Sequence, residues 1–311
     1  LILPYTPEEI AGELLACGGN ITECARRLKL DRATVRKYGT SPIPSVGLSE
    51  PVVRFPSIAR TASSPPRHHS IERIAFLSDI HFPFQDKVAL AKVLAFLGNW
   101  KPDEIILGGD IFDCYSISDY NKEPGRHETL QDEFDSARDF IAEVDEIAKG
   151  KVRFFIGNHE NRIYRHVAQY PALYKLRSLD FGVAAGLPAH FQVHGSQYHH
   201  RVGGLLLLHG DLQGRVSSGG INPAATMLKK LRTSCMFGHW HRFGQFYETN
   251  YDGTVRGGFA NGHLSDEKQA KYISSPDWQK GFTTIEHAQG LFAVKQHLVI
   301  NGQLLTDGIL Y

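Results

Sequence analysis

The chain lacks the features that would hold it in a membrane or cross-link it outside the cell. No apolar run approaches the about 18 residues of a spanning helix, so no membrane segment is expected. The opening Leu1-Ile-Leu-Pro-Tyr-Thr6 has neither a charged start nor a long apolar core, so no secretory leader is expected. Cysteine is scarce. Cys17, Cys24, Cys114 and Cys235 form no C-x-x-C pair, which fits free thiols in a reducing, cytoplasmic compartment. Charge of one sign is also missing: the net charge is +1, so any surface that attracts nucleic acid or lipid must be local. With 311 residues, 42% of them hydrophobic, the chain can build one large globular domain and one small one.

What the sequence does hold is a series of polar clusters, each directly after an apolar run of strand length. Asp79-Ile-His81 follows Ile74–Leu77, and Gly109-Asp110-Ile-Phe-Asp113 follows Ile105–Leu107. Gly157-Asn158-His159-Glu160 follows Val152–Ile156, and His209-Gly210 follows Leu205–Leu208. Gly238-His239-Trp-His241 follows Cys235–Phe237. Side chains placed just past the C-terminal ends of buried strands collect on one rim of a sheet. Asp, Asn and His gathered there make a metal-binding inventory. The set has no thiolate, so Mn, Fe, Zn, Co or Ni would all be accepted, with Mn favoured.

In order and composition these five clusters resemble the calcineurin-like metallophosphoesterase superfamily. The resemblance implies a two-sheet α/β/β/α sandwich and two divalent metal ions with a bridging hydroxide for in-line attack on phosphorus. It assigns Asp79, His81 and His241 to one ion, Asn158, His209 and His239 to the other, and Asp110 to both. It places His159 near the leaving-group oxygen as a catalytic residue that does not bind metal, with Asp113 as the partner that orients it and keeps it protonated. Two carboxylates against two divalent ions leave the centre positive, which is why the second ion can use a neutral Asn158. Cys114 stands where the protein Ser/Thr phosphatases carry Arg, and Asp113 where purple acid phosphatases carry Tyr. The pattern is therefore closer to the phosphodiesterase, repair-nuclease and phage-encoded branches.

Around this centre, Arg162, Arg165 and Arg215 are candidates for phosphate contact, with ordinary salt bridges as the plainer alternative. Glu160 is expected to hold its loop by hydrogen bonding and Cys114 to be a small buried residue. His263 and the pair His199-His200 are the histidines outside the motifs that could touch substrate.

Three regions follow along the chain. Residues 1–40 read as a helical unit: Thr6 and Glu9 form a capping box with Pro7 at the first turn, a second helix spans 21–28, and Asp31 caps a third over 32–38. The spacing of Ala25, Leu28, Leu30 and Val35 resembles a helix-turn-helix, except that Lys29 stands where the turn usually has Gly. Six basic residues and one acidic lie between Arg26 and Lys37. Arg32, Thr34, Arg36 and Lys37 would then face DNA; the alternative is a helical cap or dimerisation unit. Residues 41–70, rich in Pro and Ser, read as a linker, and 71–311 as the metallophosphoesterase domain. In that domain Val88–Trp100, Glu128–Ala148 and Asn161–Ser178 read as helices, and the tail after about 246 as strands with turns at Gly290 and Asn301-Gly302.

The expected function is phosphodiester hydrolysis, with nucleic acid as one substrate class. The alternatives are a phosphomonoesterase acting on nucleotides or small phosphates, and a DNA-binding regulator with a non-catalytic domain. Metal identity, oligomeric state and natural substrate are not legible.

Overall fold

The computed structural model describes residues 4–39, 70–211, 222–269 and 276–311. The expected linker and Arg215 lie outside these residues. The chain divides into two compact units, Leu1–Arg67 and His68–Tyr311.

The first unit has three helices: α1 (Pro7–Ala16), α2 (Ile21–Leu28) and α3 (Arg32–Tyr38). Each starts on a side chain that accepts a backbone N–H left over at the helix end. Thr6 caps α1, with Glu9 returning the bond to the Thr6 N–H; Asn20 caps α2 and Asp31 caps α3. Lys29, between α2 and α3, adopts the left-handed conformation (φ 54°), which a Gly would take at lower cost. Ile10, Cys24, Ala25 and Val35 form the buried centre, with Leu28 and Leu30 packed on it.

The second unit begins with β1 (Glu72–Leu77), α4 (Lys87–Trp100), β2 (Glu104–Leu107), α5 (Leu130–Ser136), α6 (Arg138–Ala148) and β3 (Val152–Phe155). Then come α7 (Asn161–Gln169), α8 (Phe181–Ala184), β4 (Gln192–His194), β5 (His199–Val202), β6 (Leu205–Leu208), α9 (Pro223–Leu231) and β7 (Cys235–Phe237). It ends with β8 (Gly244–Thr249), β9 (Val255–Ala260), β10 (Gly281–Ala288), β11 (Leu291–Ile300), β12 (Gln303–Thr306) and β13 (Ile309–Leu310).

Eight strands form one sheet in the order β13-β12-β11-β10-β1-β2-β3-β4, and five form a second, β5-β6-β7-β9-β8. Strands β1 to β4 are parallel, as are β6, β7 and β9. Alternation within each strand assigns the layers. In β1, Ala75 and Leu77 face α4 and α6, while Ile74 and Phe76 meet Leu205, Leu207, Met236 and Phe259 of the second sheet. In β6, Leu206 and Leu208 face outward onto Ala224 and Met227 of α9. The result is an α/β/β/α sandwich, as expected.

Two helix expectations need correction. The stretch over 128–148 breaks at Ala137 into α5 and α6, because Ala137 lies between their hydrogen-bonding frames. The stretch over 161–178 ends at Gln169: Pro171 restricts Tyr170, and two short 3-10 turns follow. No helix among the described residues is long and apolar enough to cross a membrane, and all four cysteines are unpaired.

Candidate metal centre

The parallel strands deliver their polar C-terminal extensions to one place. Asp79, His81 and His241 offer ligand atoms within 4.8 Å of one another, and so do Asp110, His209 and His239. Asn158 joins the second group, with Oδ1 3.1 Å from His209 Nε2. All seven residues read from the sequence as ligands therefore lie in two adjacent groups, and His81 also falls within 4.8 Å of ligand atoms of Asp113 and His159. Trp240, between two of them, turns away and packs on the outer face of the second sheet.

Local backbone shape is part of how these side chains converge. Asp79, His81, Asp110, His239 and His241 all take left-handed φ values of 53–68°. That conformation costs about 1–3 kcal/mol at a non-glycine residue and clusters where function requires it. Two motif glycines are explained by close approach. A Cβ on Gly157 would lie 2.2 Å from Asp110 Oδ1, and one on Gly238 2.6 Å from Asp79 Oδ2.

Hydrogen bonds fix which nitrogen of His209 and of His81 faces the centre. His209 Nδ1 lies 2.9 Å from the Gly108 carbonyl oxygen, which can only accept, so Nδ1 carries the proton. In the neutral ring the Nε2 lone pair then points at Asp110 Oδ2 (3.2 Å) and Asn158 Oδ1. Likewise His81 Nδ1 donates to Asp113 Oδ1 at 3.1 Å, leaving its Nε2 3.1 Å from His241 Nε2, which is 3.3 Å from Asp79 Oδ1. Lone pairs facing lone pairs repel unless a cation or proton lies between them. Nδ1 of His239 and Nδ1 of His241 are buried without a hydrogen-bond partner.

The charge balance points the same way. Asp79, Asp110 and Glu160 are buried, and Asp113 is nearly so. Burial alone pushes His209 down, but Asp110 beside it overrides this and lifts its pKa to about 10. Asp110 thus recruits positive charge strongly enough to protonate a buried imidazole, and a divalent cation would supply that charge directly. The donor set fits a pair of such ions.

His159 stands beside both groups. Its Nδ1 lies 2.8 Å from the Asp113 carbonyl oxygen and 3.1 Å from Asp113 Oδ1. Burial lowers its pKa, but the charges of Asp110 and Asp113 outweigh that and hold it above the ordinary histidine value. Asp113 is the opposite case: burial raises it, and hydrogen bonds from His159 and His81 hold it well below the usual carboxylate range. Its carboxylate serves His81 as well as His159, a sharing the sequence did not reveal.

Among the phosphate-contact candidates, Arg162 reaches the site: Nη1 donates to the Asp113 carbonyl at 2.6 Å and Nη2 lies 3.3 Å from His159 Nε2. Arg165 does not; it pairs with Asp119 at 2.7 Å on the surface. His199 and His200 lie on β5, where His200 meets Tyr198. In the helical unit, Arg32, Arg36 and Lys37 are exposed on α3, whereas Thr34 is half-buried and gives its hydroxyl proton to Asp31 (2.6 Å).

Glu160 does more than was read from the sequence. Its carboxylate accepts backbone N–H groups of Asp110, Ile111, Phe112 and Gly157 at 2.7–3.0 Å, clamping the loops after β2 and β3 together. A further group was read only in part: His263 was a candidate for substrate contact, and Asn261 and Trp278 were missed. His263 stacks on His241 (centroids 5.3 Å), Trp278 packs edge-on against His241 (4.3 Å), and Asn261 bonds Ser78 beside Asp79. The signal was present: Asn261-Gly-His263 follows β9 as the other clusters follow their strands.

Comparison with known proteins identifies the family. The family description "Calcineurin-like phosphoesterase" matches residues 72–252, more than half of the chain. The gene 54 protein of Mycobacterium phage D29 is 29% identical over 261 residues, covering 76% of this chain and 97% of that protein. The gene 54 protein of Mycobacterium phage L5 is 29% identical over 259 residues with the same coverage. Among solved structures, a Vps29 single mutant from Entamoeba histolytica aligns with a TM-score of 0.40 at 13% identity, over 77% of this chain and 99% of that one.

Proposed function

Because the chain belongs to the calcineurin-like phosphoesterase family and is thus a metal-dependent phosphoesterase, we propose that it hydrolyses phosphodiesters, nucleic acid among them, at a two-ion centre. Asp79, His81 and His241 would hold one ion and Asn158, His209 and His239 the other, with Asp110 shared. Two divalent ions supply positive charge for the phosphate oxygens and lower the pKa of water. The observation that carries this reading is the meeting of the two ligand groups, drawn from five separate segments, with their lone pairs directed at one another.

The other side chains have definable tasks. Asp113 fixes the His159 ring through Nδ1, which leaves Nε2 to give a proton to the departing oxygen. Arg162, beside Nε2, adds a second donor to the same edge and favours an anion there. Glu160 keeps the Asp110 and Asn158 loops in register. Arg32 and Lys37 on α3 would give the helical unit its phosphate contacts with DNA.

A substrate panel tests the reading. With manganese, a bis-aryl phosphate diester should turn over, and chelator should abolish turnover until metal is restored. Activity confined to aryl monoesters would replace this reading with a phosphomonoesterase.

A further inference from the structure

We propose that the exposed segment from Arg162 to Arg177 is a binding platform for a single-stranded polynucleotide, with bases stacked on Tyr170 and Tyr174 and cations along the phosphates. This rests on the phosphodiester reading above and names the polymer the site would take.

The segment begins inside the centre, where Arg162 contacts His159 and Asp113, and leads away from it. Only Ile163 of α7 is buried. Beyond it, Tyr164 is 45% exposed, Tyr170 54% and Tyr174 71%. Tyr120, 76% exposed, lies next to Asp119, which ties that loop to Arg165 of α7. Four of the six exposed tyrosines among the described residues therefore lie in this segment or next to the residue it pairs with. Large rings kept in water and grouped together mark a binding surface.

Charge selects the partner. Arg162, Arg165, Lys175 and Arg177 fall between Asn161 and Leu179 without one Asp or Glu, in a chain whose net charge is only +1. Arg165 is paired with Asp119, but exposed pairs of this kind contribute little and exchange readily for phosphate. Helical spacing puts Arg162, Arg165, His166 and Gln169 on one face of α7, about 10 Å from first to last at 1.5 Å per residue, with Tyr164 on the opposite flank. His166 meets Tyr170 at the far end (centroids 5.5 Å), and Lys175 lies over Tyr174 (5.6 Å). Alternating aromatic faces and cations match a strand whose bases are unstacked. A duplex hides its base faces and would leave the tyrosines without a target.

The test uses the full chain in chelator, so that binding is read without cleavage. Probes are a labelled oligothymidylate of about 20 nucleotides, an abasic oligomer of equal length, and phosphatidylserine vesicles. Replacing Tyr170 and Tyr174 together with Ala should weaken oligothymidylate binding about tenfold or more, while replacing them with Phe should keep it within about twofold. The abasic oligomer should bind the unaltered chain as weakly as oligothymidylate binds the Ala variant. Equal affinity for the abasic oligomer overturns the proposal, as does an Ala variant that binds oligothymidylate normally or loses only vesicle association. If the Ala variant does not fold, the abasic and Phe comparisons decide alone. Diester turnover with manganese is read separately on the unaltered chain. Its failure beside base-dependent binding removes the phosphodiester reading only, and turnover without base-dependent binding removes the platform only.

Discussion

At the scale of single residues, the centre is a set of lone pairs whose direction is fixed by bonds made elsewhere. Gly108 sets the His209 tautomer and Asp113 sets that of His81. His159 differs because its Nδ1 is held by Asp113 while its Nε2 faces the open edge beside Arg162. Converting His159 to Gln should therefore lower kcat about 10²- to 10³-fold on a diester with a poor leaving group, with bound metal unchanged by elemental analysis. An unaltered kcat would remove His159 from proton transfer. The ligand residues were legible in the sequence because each carries its chemistry in its own identity and stands at a strand end. The sharing of Asp113, the clamp by Glu160 and the stacking of His263 on His241 were not. Each depends on which side chain arrives from a distant segment, and local spacing does not contain that information.

At the scale of elements, the strands carried the clearest signal and the helices the weakest boundaries. Buried strands read as short apolar runs ended by polar clusters, and the structure kept those limits to within a residue or two. The helix expected over 161–178 ends at Gln169, where Pro171 restricts Tyr170, and Tyr164, Tyr170 and Tyr174 stay in water. The break at Ala137 has a consequence for stability. It lets α5 place Glu133 under the turn after Asp113, where Glu133 Oε1 accepts the Ser116 N–H at 3.1 Å and Oε2 is buried without a partner. Burial pushes this carboxyl up to about 7 from an ordinary 4.5. A carboxyl raised on folding costs nothing well below its unfolded pKa; the cost grows as pH rises from the unfolded towards the folded value and is complete above it. Glu133→Gln, which resembles the protonated acid, should thus stabilise the fold by about 3 kcal/mol at pH 8 and by under about 1 kcal/mol at pH 5. Urea midpoints at the two pH values check this. An equal shift at both would mean that Glu133 does not titrate in this range.

At the scale of the whole molecule, a phosphoesterase sandwich and a small helical unit share one chain. Both were visible in the sequence, the first through motif order and the second through caps and the spacing of small and apolar residues. The unit's basic residues are not all equally available. Arg26 and Arg27 are held by Glu23, whereas Arg32 and Lys37 are exposed on α3. If the unit binds duplex DNA, Arg32→Gln with Lys37→Gln should weaken that binding and reduce the slope of log affinity against log salt by about 2. Diester turnover should not change. An unaltered slope would assign the unit to protein contact.

The central claim is that two cations sit between the facing ligands, with Asp110 common to both. Elemental analysis after loading with manganese and removal of excess metal tests it most directly. Two ions per chain in the unaltered protein, and at most one after Asp110→Asn, is the predicted result. An unaltered chain that retains fewer than two ions, or an Asp110→Asn protein that keeps both, would contradict it.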